Sequence, residues 1–374
     1  MHSMPIGGAE KVLLDILRNF DYSKYQVELL LYTHSGENLC NVPSQVVVKS
    51  VFQPDSPTLW NRIRSKLVRM TGLINRIEQK ATLKVVGNQQ YDTIISFCQG
   101  PAHKIHTFLL GKARRHLSWI HSDLSVSNWG LLFFDGDIRK QCAAYGQMDE
   151  IIFVSQGAMQ AFNRVFPSLV PSVKERVIYN IVDVLDIQTR SKVAIPYVCD
   201  ANRFIFINSG RLVDAKCQSR LVDCAEILRQ KDLNFEIWIL GDGPLKGALE
   251  SQIETKQLKD CVKLFGAVSN PYPYIQAADC FVLTSCQEGF SIVVCEALAL
   301  AKPIVSTRVT GPTELLGETD AGMLVDEDIT QIAEAMYRMA TQPTLRTEYA
   351  ARALQRCDMF DVKHSMDEIY RAID

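Results

Sequence analysis

From Phe204 onward, short β-branched and aromatic runs alternate with segments of helical length, the pattern of βα units that build a parallel sheet. "FIFINSG" (204–210), "FEIWILG" (235–241), "VKLFGAV" (262–268), "CFVLTS" (280–285) and "PIVST" (303–307) read as strands, and helices are predicted over 216–230, 246–257 and 291–301. A unit of this kind is doubly wound, and its ligands lie where strands end and helices begin. The first half is less regular but similar, with strands at "VELLLYTH", "VVVKSV", "DTIISFC", "HLSWIHS" and "EIIFVS". The polar, proline-bearing stretch between Asp186 and Asp200 marks the join. The expected fold class is therefore α/β, with two Rossmann-like, doubly wound domains over 1–190 and 191–374 facing across a cleft. The last helix, about 360–374, is expected to pack back on the first domain. "PIGGAEKVLLDIL" reads as a glycine turn opening a helix, but only four residues precede Pro5. The first strand of the N-terminal domain is accordingly expected to be missing.

At 374 residues and 47% hydrophobic, the chain can fill two ordinary cores. A formal net charge of -2 gives no overall attraction to nucleic acid, so an anionic partner must be met by a local patch. Eleven cysteines without a Cys-x-x-Cys pair, several inside apolar runs, fit a reducing cytoplasmic compartment. No apolar stretch approaches the roughly 20 residues that span a bilayer.

The 291–301 helix carries the sharpest chemical signal. Glu296 is its only charged residue among aliphatics, so the helix must be buried nearly all round, and a buried carboxylate needs partners. Either it satisfies groups in the core or it accepts hydrogen bonds from the hydroxyls of a ligand. Glu288 lies in the loop before the helix, followed by Gly289, and the N–H groups of Phe290 and Ser291 suit phosphate or sugar oxygens at a helix start. Upstream, Arg211 follows a strand end, and Lys216 begins the next predicted helix. Two such cations suit a diphosphate. "GDGPLKG" has the wrong glycine spacing for a dinucleotide fingerprint, so Asp242 and Gly243 are read as shaping a turn.

Glu288 and Glu296 separated by seven residues, Arg211 with Lys216, "GDGP", "AADCFVLTS" and "GGAE" together resemble the retaining glycosyltransferases of family 4. The resemblance covers nearly the whole chain. It implies the GT-B architecture, a nucleotide-sugar donor with UDP ahead of GDP, no metal or other cofactor, and a glycan or lipid-linked acceptor in cell-envelope polysaccharide synthesis. Residue by residue, Glu296 would hold the ribose and Glu288 the donor sugar, while Arg211 and Lys216 would bind the diphosphate. Gly289, Phe290 and Ser291 would lie beside the sugar, and the strand-end glycines Gly210, Gly241 and Gly266 would belong to the donor side. Gly7 and Gly8 would form the first-domain loop near diphosphate and acceptor, His121 would stand near the donor sugar, and Asp123 would orient it or the acceptor. Cys217 follows Lys216 where a glycine is common.

Between Trp60 and Ala81 the apolar positions Trp60, Ile63, Leu67, Met70, Ile74, Ile77 and Ala81 recur at intervals of three and four, interleaved with basic residues and one acid, Glu78. Such a helix either packs on the core or lies on an anionic membrane surface. The second case would place the protein at the cytoplasmic face of the inner membrane. Two further readings are a catalytically idle nucleotide-sugar-binding subunit and a nucleotide-sugar epimerase of the same architecture; the glutamate pair with Arg211 and Lys216 weighs against the epimerase.

Overall fold

The computed structural model describes residues 1–54, 74–170, 172–198, 200–317 and 320–374. The chain forms two compact units, Met1–Ile181 with Lys363–Asp374, and Val182–Val362. The helix Val184–Arg190 packs on the helices Tyr272–Ala277 and Ile292–Ala299, so the second unit starts ahead of the 190/191 boundary drawn from the polar stretch.

The first unit holds β1 (Glu28–Thr33), β2 (Val47–Phe52), β3 (Tyr91–Ser96), β4 (Ala113–Ile120), β5 (Glu150–Phe153) and β6 (Lys174–Val177). β1 pairs with β2, while β3-β4-β5-β6 form a separate sheet, and every pairing is parallel. The residues ahead of the glycine turn run alongside β1: Tyr32 N donates to Met1 O at 3.0 Å, Thr33 N to His2 O at 2.9 Å, and Met4 N to Ser35 O at 2.8 Å. The "PIGGAE" turn thus follows an ordered run whose Met4 is fully buried. On the C-terminal segment, Tyr370 stacks on Tyr25 and accepts a hydrogen bond from Asp21 N, and Arg176 pairs with Glu368 at 3.2 Å.

The proposed membrane-facing positions Trp60, Ile63, Leu67 and Met70 lie outside the described residues. The remainder of that pattern sits on the helix Ile74–Val86, but with another face inward. Glu78, Thr82 and Val86 are buried, whereas Ile77 is exposed. The carboxylate that sequence places on a solvated face turns inward because Lys104 Nζ lies 2.7 Å from it and Tyr32 donates to it at 2.7 Å. Among the described residues no helix is long and apolar enough to cross a membrane.

Beneath the β3–β4 sheet lies a histidine network that the sequence did not signal. His106 bridges Ser96 Oγ at 3.1 Å and His116 Nδ1 at 3.0 Å, and His103 Nδ1 meets Ser96 and Ser118 at 3.3 and 3.2 Å. Burial pulls His103 down to about 3 and His106 well below its ordinary range; His121 is likewise pulled down to about 3 by burial. These rings are neutral in the folded chain and take up protons on unfolding below pH ~6.5. Their contribution is therefore complete above pH ~6.5 and is lost as pH falls toward about 3. Urea midpoints are expected to drop steadily as pH falls from 7 to 4.5, because the unfolded chain takes up protons that the folded chain does not. A midpoint constant over that interval would contradict neutral His103, His106 and His121.

The second unit is one parallel sheet of β7 (Phe204–Ser209), β8 (Phe235–Leu240), β9 (Val262–Gly266), β10 (Cys280–Leu283), β11 (Ile304–Thr307) and β12 (Met323–Val325), in the order β12-β11-β10-β7-β8-β9. This is the doubly wound order, with its switch point between β7 and β10. β8, β10 and β11 are buried along their whole length, which is why they read as largely apolar runs, interrupted only by Glu236 in β8 and by Ser306 and Thr307 in β11.

Candidate functional site

The C-terminal ends of β7, β8 and β9 converge on glycines. Gly210 N donates to Leu240 O at 2.9 Å and Gly241 N to Gly266 O at 2.7 Å. A Cβ on Gly241, whose φ is +137°, would lie 1.9 Å from the Gly210 carbonyl oxygen, so a side chain is excluded there. "GDGP" forms a turn against the chain after β7: Leu212 N donates to Asp242 O at 2.9 Å, and Gly243, at φ +159°, leaves no room for a Cβ beside Leu212 O.

The 216–230 helix is shorter than its pattern. A 3-10 turn, Asp214–Lys216, is followed by Cys217 in the left-handed region (φ 49°), and the helix proper is Ser219–Gln230. Lys216 thus ends a tight turn instead of opening a helix, and the left-handed residue is where glycine would be the comfortable choice. The loop after β10 is bound to this turn: Cys286 N donates to Ala215 O at 3.0 Å, and Thr284 Oγ1 to Lys216 O and Cys217 O at 3.1 Å each.

That splice joins Lys216 to Glu288. The ammonium lies 2.5 Å from Glu288 Oε1, which also accepts from Ser285 Oγ at 2.8 Å. The carboxylate side chain is only 9% exposed, so the charge is balanced where water is scarce. Arg211 behaves differently. Its side chain is exposed and makes no ion pair among the described residues, while its carbonyl accepts from Gln218 Nε2 at 3.1 Å. Of the two cations expected to meet a diphosphate, one is committed to Glu288 and the other is open.

Gly289, Phe290 and Ser291 carry the chain from Glu288 into the helix Ile292–Ala299. Phe290 is buried, and its backbone passes so close to Gly311 that a Cβ there would stand 2.6 Å from Phe290 Cα. Ser291 caps the helix in the left-handed region (φ 69°), a conformation that costs a non-glycine residue about 1–3 kcal/mol. Its hydroxyl is buried and has no hydrogen-bond partner among the described residues. Backbone strain and an orphaned hydroxyl therefore coincide at the start of this helix. Within the helix, Glu296 is 4% exposed and accepts from Tyr272 OH at 3.3 Å.

The other expected site residues lie in the first unit. Gly7 is the N-cap of the helix Gly8–Arg18, and the Glu10 carboxylate folds back over it, 2.2 Å from where a Gly7 Cβ would stand. His121 follows β4, its ring beside Phe97 at 4.7 Å, with Nε2 shielded and unpartnered among the described residues. Asp123 Oδ1 accepts from Ser125 N at 2.9 Å and Ser125 Oγ at 2.6 Å, so it shapes its own turn. Sequence reasoning missed Ser285, Tyr272 and Gly311, and only the local spacing of Ser285 to Glu288 offered a signal. Among the described residues no group of three or more His, Cys, Asp or Glu side chains could hold a metal ion.

Residues 203–342 match the family described as glycosyl transferases group 1. The chain is 30% identical over 228 residues to the Campylobacter jejuni N-acetylgalactosamine-N,N'-diacetylbacillosaminyl-diphospho-undecaprenol 4-alpha-N-acetylgalactosaminyltransferase, a match spanning 60% of each protein. It is 28% identical over 193 residues to the lipopolysaccharide core biosynthesis glycosyltransferase LpsD of Rhizobium meliloti, spanning 50% of this chain and 55% of that one. The matched stretches thus span somewhat over half the length of these two relatives. Among solved structures, HepE from Anabaena in complex with UDP and glucose aligns with 100% of this chain and 97% of its own, with a TM-score of 0.72 at 19% identity. WaaG, a glycosyltransferase involved in lipopolysaccharide biosynthesis, gives 0.67 at 14% identity, covering 100% and 98%. At these identities the likeness is one of fold.

Proposed function

We propose that this chain, whose residues 203–342 match the family described as glycosyl transferases group 1, transfers a hexose-type sugar from a nucleotide sugar to a hydroxyl of a glycan or lipid-linked acceptor. The observation that carries the reading is the segment 284–296: a left-handed, orphaned Ser291 at the start of a buried helix, flanked by the Lys216–Glu288 pair and by buried Glu296. Glu296 takes the ribose hydroxyls, Glu288 the sugar hydroxyls, and the N–H groups around Ser291 the oxygens between them. UDP is the preferred diphosphate, in keeping with the ligand in HepE. The name of LpsD points to lipopolysaccharide core synthesis, and that of the Campylobacter relative to an acceptor carried on diphospho-undecaprenol.

The reaction proceeds with retention. The bond from the anomeric carbon to the diphosphate oxygen breaks, the acceptor oxygen bonds to the same face, and its proton passes to the leaving diphosphate. The charge that builds on the diphosphate is met by Arg211, by Lys216 as it loosens from Glu288, and by the helix N-terminus, so no metal is required. Positioning and fixed charge supply most of the acceleration.

Incubation of the full chain with radiolabelled UDP-hexoses and GDP-hexoses tests the reading. Release of nucleoside diphosphate, with an α-linked product from an α-linked donor by NMR, is expected. A β-linked product would overturn retention, and failure to use any donor in the presence of envelope glycolipid would overturn the transferase assignment. The two carboxylates should also separate. Glu296→Ala is expected to weaken free UDP at least about tenfold, the loss of a charged hydrogen-bonding partner, whereas Glu288→Ala should spare UDP and weaken the UDP-sugar. Equal effects on both ligands, measured by titration calorimetry, would show the roles to be misassigned.

A further inference from the structure

Tyr272 has no part in the chemistry above, yet it is 2% exposed and its hydroxyl points at a carboxylate. It opens the helix Tyr272–Ala277, and three separate segments hold it there. Asn270 Nδ2 donates to Arg190 O at 2.9 Å, the Arg190 guanidinium lies 4.7 Å from the Tyr272 ring centroid, and Gln188 Nε2 donates to Ala299 O at 3.0 Å. The end of the Val184–Arg190 helix, the 270–277 segment and the Ile292–Ala299 helix are thereby tied together beside the contact of Tyr272 OH with Glu296 Oε1.

We propose that Tyr272 is a positioning residue that fixes the Glu296 carboxylate for a vicinal diol, and so makes the site select ribose over deoxyribose. This inference rests on the reading of Glu296 as the ribose anchor. A carboxylate offers about four acceptor positions, and the phenol on Oε1 takes one of them while restraining rotation of the group. Arg190 over the ring draws electron density from the phenol and strengthens it as a donor. The 3.3 Å separation is long for an O–H···O bond, which limits the expected effect to one modest interaction. A diol is sensitive to the rotation of the carboxylate; a single hydroxyl is much less so.

The test uses the full chain and titration calorimetry with UDP, 2′-deoxy-UDP and 3′-deoxy-UDP, or the guanosine series if GDP is the diphosphate that binds. The wild-type chain is expected to favour the ribose form. Tyr272→Phe should lose about 5- to 10-fold in affinity for the ribose form, in the range of one hydrogen bond, and less than twofold for either deoxy form, so that the preference collapses. Arg190→Met, on a side chain 39% exposed, should shift the preference in the same direction by a smaller factor, and it decides the matter if Tyr272→Phe melts below the assay temperature. Equal losses on all three ligands, or a preference intact in both variants, would overturn the inference alone. Absence of binding by either diphosphate in the wild-type chain would overturn the parent reading and this inference with it.

Discussion

Lys216→Ala is expected to lower turnover by about 10²- to 10³-fold, the usual loss when one fixed stabiliser of developing negative charge is removed. The effect has two sources in this structure. The ammonium is the ion-pair partner of Glu288, and without it a carboxylate 9% exposed keeps, among the described residues, Ser285 at 2.8 Å. The substrate diphosphate also loses a cation held within one turn of the 284–288 loop, because Cys286 N and Thr284 Oγ1 bind that loop to residues 215–217. The loss should fall mainly on kcat, since charge on the diphosphate grows as the glycosidic bond breaks. Lys216→Arg should recover part of it, restoring charge with a different donor geometry. Arg211→Ala, on an exposed side chain, should cost less and act mainly on KM. Steady-state rates with varied UDP-sugar would show this, and a Lys216→Ala enzyme within threefold of wild type would remove that residue from the mechanism.

The largest effect on stability is expected at Gly241. Its φ of +137° is disallowed for a side-chain-bearing residue, and a Cβ would overlap the Gly210 carbonyl oxygen at 1.9 Å. Neither backbone can withdraw easily: Gly210 N is bonded to Leu240 O, and Gly241 N to Gly266 O. Gly241→Ala should destabilise the second unit by about 3 kcal/mol or more, combining backbone strain with displacement of a strand end. Gly247→Ala provides the contrast. Gly247 lies in the exposed first turn of the helix Lys246–Thr255 with nothing near its Cβ position, and alanine there should stabilise by about 0.4–1 kcal/mol. Urea unfolding followed by fluorescence of buried Trp238 separates the two. A Gly241→Ala midpoint equal to wild type would mean that the strand-end convergence is not a constraint.

The second unit was the more legible half. Strands buried on both faces show themselves as apolar runs, and β7, β8 and β10 fall within a residue or two of their pattern. β6, "KERV", did not show, because three of its four residues are charged; on the edge of its sheet its Lys174 and Arg176 reach back to Glu150 on β5. β12 is only three residues long. The Ile74–Val86 helix misled because amphipathicity assumes that carboxylates face water, and Glu78 instead meets Lys104. The 219–230 helix begins late because a left-handed Cys217 carries no local signal that distinguishes it from a helical cysteine.

The site was legible in composition and opaque in geometry. Glu296 stood out as one charge in an aliphatic helix, and Glu288 as its companion across a glycine loop. That Glu288 would pair with Lys216, 72 positions earlier, depends on two loops being joined after β7 and β10, and no spacing reveals it. The same holds for Tyr272, whose contact with Glu296 is long-range, and for Ser291, whose left-handed backbone follows the close approach of Gly311 to Phe290.

The central claim is that the 284–296 segment holds a nucleoside diphosphate, and thermal unfolding of the full chain with 1 mM UDP, GDP or ADP tests it most directly, with Glu296→Ala run in parallel. A diphosphate present at 100 times its dissociation constant should add about 2.7 kcal/mol, or roughly 5–10 °C to the melting of the second unit. The account predicts such a rise with UDP for the wild-type chain and its loss in Glu296→Ala; no rise with any of the three nucleotides would contradict it.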